Sequence, residues 1–144
     1  MIRVVGILGG AVVLVMLWFV LTGSEEQAPV APDGIVPPSG QAISFLETVQ
    51  SAPGTGGLTV RFRFLAPGIA RAGGSVDAEV AQADMLWLCD TYALPRLAQG
   101  GPVPAQIVIS LSDRAVPFGE AAPDVTQFFE AYRVEDGNCV WEPF

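Results

Sequence analysis

The side chains that most often carry acid–base or nucleophilic work near neutral pH are histidine, lysine and an activated cysteine. This 144-residue chain has no histidine, and all seven of its basic residues are arginine. A Ser-His-Asp triad, a Cys-His or Ser-Lys pair and a lysine Schiff base are therefore closed to it. Two cysteines, Cys89 and Cys139, would make a poor zinc site even with help from carboxylates. There is no DxDxDG calcium loop and no glycine-rich phosphate motif, so no metal and no cofactor is expected. The fifteen acids leave room for paired-carboxylate chemistry. Asp113, Glu120 and Asp124 fall within one stretch, which reads more simply as a solvated acidic loop. Arg61 and Arg63 alternate along one segment and could together grip an anion. A solvated face, or pairing with local carboxylates, is the plainer reading. This chemistry points away from an enzyme, and the catalytic set is expected to be empty.

The elements that must position these groups are set by periodicity. Residues 41–50, QAISFLETVQ, read as a strand, and 51–57, SAPGTGG, as a turn. Residues 58–66, LTVRFRFLA, alternate most clearly: Leu58, Val60, Phe62 and Phe64 on one face, Thr59, Arg61 and Arg63 on the other. The two strands make an antiparallel hairpin. Ser75 is a good N-cap, and a helix is expected from about Val76 to Tyr92, stopping before Pro95. It carries two apolar stripes. Ala81, Met85, Leu88 and Tyr92, with Cys89 at the edge, are assigned to the core. Val76, Val80, Ala83 and Trp87 are left over, and Val76, Val80 and Trp87 form a candidate docking face. Residues 105–112 read as a third strand and 113–124 as a long loop. Val125–Val134 fits helix or strand, and its aromatic content and the Asp136-Gly137 that follows favour a strand entering a hairpin, with Asn138–Phe144 returning. The expected order is β-β-α-β-β-β, an α+β domain with one helix on a mostly antiparallel sheet.

Upstream, Val4 to Leu21 has no charged residue and no polar stripe. At ~1.5 Å per residue it would span about 27 Å, close to a bilayer's hydrocarbon core. The expected division is a single transmembrane anchor or signal sequence at 1–21, a Pro/Gly-rich linker at 22–40 and an exported domain at 41–144. Arg3 before the run and Glu25 and Glu26 after it orient the N-terminus to the cytoplasm and the domain outward. The expected location is the inner membrane with a periplasmic domain, or the periplasm after cleavage. Residues 4–21 would contact the lipid bilayer. Beyond the run, six arginines face fifteen acids, a balance of −9, which argues against nucleic acid as a partner. In an oxidising compartment the even cysteine pair is expected to form a Cys89–Cys139 disulfide.

Four stretches are familiar: RFRFLAPGI at 61–69, YALPR at 92–96, ISLSDR at 109–114 and QFFEAYRVEDGNCVWEPF at 127–144. Over roughly residues 43–144 the chain resembles a family of small exported bacterial proteins of unknown function. That resemblance implies no activity, cofactor or site residues. Some relatives carry an acetolactate synthase label, but this chain is too short for a thiamine-diphosphate enzyme. The expected function is that of a tethered accessory domain docking on a protein partner in an envelope or membrane complex. A structural envelope role and a small carboxylate-based enzyme are the alternatives.

Overall fold

The computed structural model describes residues 34–51, 56–97, 99 and 101–143. Five strands form one sheet in sequence order: β1 (Ser44–Gln50), β2 (Thr59–Leu65), β3 (Gln106–Ser112), β4 (Gln127–Glu135) and β5 (Asn138–Glu142). The pairs β1/β2, β3/β4 and β4/β5 are antiparallel, while β2 and β3 are parallel. A parallel pair cannot be joined by a tight turn and needs a long crossover. The crossover here carries the helix α1 (Ala78–Leu88), a π-helical turn at Cys89–Ala93 and the short α2 (Leu94–Leu97).

The core lies between the helix and one face of the sheet. Val60, Phe62 and Phe64 of β2 and Ile107, Ile109 and Leu111 of β3 alternate onto that face and are buried. They meet Ala81, Met85 and Leu88, the stripe assigned to the core, all at most 1% exposed. Phe64 and Phe45 pack against Tyr92 with ring centroids 5.1 and 5.4 Å away. At β4/β5, Asp136 and Gly137 both have positive φ, as a two-residue primed hairpin requires.

The expected fold class needs correcting. Among the described residues no helix is long and apolar enough to cross a membrane. The described fold is a small sheet-dominated domain, five strands with one main helix, α1. The spanning helix expected at 4–21, and with it the anchor at 1–21, lies outside the described residues. Of the expected linker, residues 22–33 also lie outside them. Its last part is packed: Ile35 is 6% exposed in the core, and Ser39 bonds to the helix.

The helix differs from expectation at both ends. Asp77, not Ser75, caps α1, its Oδ1 accepting the Val80 N–H at 3.0 Å. The N–H groups of Ser75 and Val76 are both donated to the Gly68 carbonyl, which holds that segment in the loop until Asp77. At the other end the chain stays helical through Pro95. A proline in an α-helix lacks an N–H and collides with the carbonyl four residues back. The wider π turn just ahead, with Leu94 N–H reaching Cys89 O, loosens the turn that precedes Pro95.

Candidate functional site

The outer face of the sheet, away from the helix, holds the charged residues that the strand pattern brings together. On β2 these are Arg61 and Arg63. Their cross-strand neighbours on β3 are Val108 and Ser110, and beyond them on β4 Ala131 and Phe129. A β-bulge in β1 supplies the acid. Phe45 pairs with Phe64, yet Glu47, two residues on, pairs with Arg63, so Leu46 is an extra residue. A bulge shifts the alternation by one position and re-aims the rest of its strand. Without it Glu47 would share the inner face with Phe45. With it, the Glu47 carboxylate forms a short ion pair with Arg63.

Arg63 is 5% exposed and makes one hydrogen bond from each terminal nitrogen. Nη1 goes to Glu47 and Nη2 to the Val116 carbonyl at 2.6 Å. Arg61 is different. It is half-buried, and among the described residues it has no ion pair and no hydrogen bond from its side chain. Its guanidinium lies 5.5 Å from the Phe129 ring centroid and 5.7 Å from that of Phe118. Burial first, and then the positive charge of Arg63, holds its pKa below the ordinary arginine value. An unsatisfied, partly desolvated cation favours any anion that can reach it.

Phe118 comes from the β3–β4 connection, which folds back over this face. The connection is closed at its base by Asp113 N–H to Thr126 O and Thr126 N–H to Asp113 Oδ2, at 3.0 and 3.2 Å. Arg114 Nη2 donates to the Asp124 carbonyl at 2.6 Å. Inside it Glu120 N–H returns to Pro117 O at 3.3 Å, with Gly119 at φ +84° in the third position of the turn. That position requires positive φ, which glycine alone adopts freely. The turn leaves Phe118 at the tip, 54% exposed, above the arginines. The result is a pocket of about 450 Å³ with Arg61 and Arg63 at its floor. Phe118, Phe129, Pro117, Ala121 and Ala122 supply its apolar lining, and Glu120 and Gln127 line it too.

The acids grouped by sequence separate in space. Asp113 and Asp124 line a different hollow with Arg71 and Arg114, while Glu120 sits at the arginine pocket. Among the described residues no group of three or more metal-ligating side chains is placed to hold an ion. The expected docking residues also part company. Val76 and Trp87 are half-buried and pack against the core, and only Val80, 39% exposed, faces solvent. Cys89 and Cys139 are joined in a disulfide that ties the π turn to β5. Next to it Asp90 accepts the Cys139 N–H at 2.8 Å.

A family model described as a family of unknown function, DUF6497, matches residues 18–144. The chain belongs to this DUF6497 family. The match begins well ahead of residue 43, where the sequence resemblance starts, so the segment that packs through Ile35 and Ser39 is part of the DUF6497 unit. No curated protein and no solved structure matches the chain.

Asp84 is a buried acid on α1 that the helical periodicity does not reveal. It is 0% exposed and accepts from Ser39 N–H, Ser39 Oγ–H and Gln41 Nε2–H at 3.1, 2.5 and 2.6 Å. Its role is to pin the 34–43 segment of the DUF6497 domain to α1. An aspartate flanked by apolar positions on a core-facing helix is the signal that could have found it.

Proposed function

We propose that this domain acts by binding and not by catalysis, outside the cytoplasm, and that its binding site is the Arg61 pocket on the outer sheet face. The observation that carries the reading is Arg61 itself. Fifteen acids outnumber seven arginines in this chain, yet a half-buried guanidinium has no carboxylate partner among the described residues. Arg63, two positions along, has one. A desolvated cation flanked by apolar rings gains more from an incoming anion than a solvated one does. The Cys89–Cys139 disulfide supports an oxidising compartment, since such bonds are rare where thiols are kept reduced. The anion is carried by a small molecule or by a partner protein, which keeps the accessory-domain role.

Titrating the protein with sodium acetate, sulfate and phosphate at constant ionic strength tests the site. At least one anion should raise the thermal midpoint and shift the Phe118 and Phe129 ring resonances, and Arg61→Gln should abolish both effects. If no anion moves either signal, the reading is wrong.

A further inference from the structure

The ligand class is set by how Arg61 is framed, and this step rests on the pocket being the binding site. Phe118 and Phe129 flank the guanidinium, at 5.7 and 5.5 Å from its carbon to their ring centroids. No N–H of this group is donated among the described residues, so an edge of the guanidinium is open to a ligand in the pocket. That edge is a planar fork of two N–H donors, which matches the two oxygens of a carboxylate in one plane. A tetrahedral oxyanion carries more oxygens and more charge, and needs donors from further directions. The nearest second cation adds little, because Arg63 is 5% exposed and its charge is balanced by Glu47. Glu120, also lining the pocket, repels a dianion more than a monoanion. Around this single fork the walls are apolar: Phe118 and Phe129 are 54% and 43% exposed, and Pro117, Ala121 and Ala122 continue the surface. Large exposed rings beside a desolvated cation suit a ligand with one charged end and an apolar body.

We infer that the pocket binds a monocarboxylate borne on an apolar, ring-sized group, its carboxylate paired edge-on with Arg61 and its body against the exposed surfaces of Phe118 and Phe129. A free aryl or branched-chain acid and the C-terminal carboxylate of a peptide ending in an aromatic residue share this chemistry.

Calorimetric titration of the full chain with 3-phenylpropionate, its methyl ester, inorganic phosphate and a Phe-terminated tripeptide, as free acid and as amide, tests it. Phenylpropionate or the free-acid tripeptide should bind, and whichever is tighter identifies the source. The ester and the amide should bind about tenfold more weakly or worse, since the charge-assisted fork is lost. Arg61→Gln should lose about tenfold or more for the acid, and Phe118→Ala, at an exposed loop tip, should weaken the acid but not phosphate. Unchanged urea midpoints in both variants establish that the fold is intact. If ester and acid bind alike, or phosphate binds at Arg61 as tightly as the acid, the carboxylate assignment fails while the anion site stands. If no acid and no inorganic anion binds, both readings fall together.

Discussion

The two faces of the sheet are built from the same strands and obey opposite rules. On the helix face Phe62, Phe64, Ile107, Ile109 and Leu111 are sealed under Met85 and Leu88. A disulfide and the buried Asp84 network close its borders. On the outer face alternate residues of those strands are Arg61, Arg63, Val108 and Ser110, and the cover is a loop instead of a helix. The inner face removes apolar area from water and satisfies its polar groups. Among the described residues the outer face leaves the Arg61 cation without an ion pair and the Phe118 and Phe129 rings exposed. Stability belongs to the first surface and the proposed binding site lies on the second, and the contrast can be broken by substitution.

The largest effect is expected inside. Phe64→Ala removes a ring packed on Phe45 and Tyr92 and should cost ~3–5 kcal/mol in urea unfolding. A cost under ~1 kcal/mol would mean that the inner face is not a packed core. Replacing both Cys89 and Cys139 by Ser frees a loop with sequence separation 50, worth about 4 kcal/mol in the chain-entropy picture. Reduction of the native protein should reproduce the loss, and equal midpoints with and without reductant would remove the disulfide from the stability account.

Asp84→Ala leaves Ser39 and Gln41 without their acceptor, at ~2–3 kcal/mol. Amide exchange should rise first in residues 34–43. Exchange that rises evenly across the domain would show that Asp84 supports the whole core and not that segment alone.

Tyr132 supplies a pH test of the inner border. Burial, then Glu130 and Asp90, raise its pKa above the ordinary 10.0. The folded protein keeps this proton while the unfolded chain releases it. Stability from this group is therefore full below pH 10 and falls as pH climbs beyond, by at most ~1.4 kcal/mol per pH unit. Tyr132→Phe should flatten that slope, and an unchanged slope would assign it to other groups.

Smallest of all should be Arg61→Gln, within about 1 kcal/mol of the native stability, because it trades two weak ring contacts for relief of a desolvated charge. A loss comparable with Phe64→Ala would make Arg61 a structural residue and erase the difference between the faces.

Alternation at 58–66 and helical spacing at 81–92 carry the strand, the helix and the core stripe in the sequence itself, because both periods are set by local backbone geometry. The Asp136-Gly137 hairpin is legible for the same reason: its two positive-φ residues announce the turn. The cysteine count and an even pair indicate a disulfide, and the absence of histidine and lysine removes whole classes of mechanism. What tertiary structure alone decided depends on partners distant in sequence. The bulge at Leu46 is defined only by β2 opposite it, so the Glu47–Arg63 pair has no local signature. Asp84 is buried because a segment some 43–45 residues earlier returns to satisfy it. The isolation of Arg61 is a sum over every carboxylate in the described chain, and Phe118 reaches it only because the β3–β4 connection folds back across the sheet. Periodicity assigns a side chain to a face, and only the packed chain determines what covers that face.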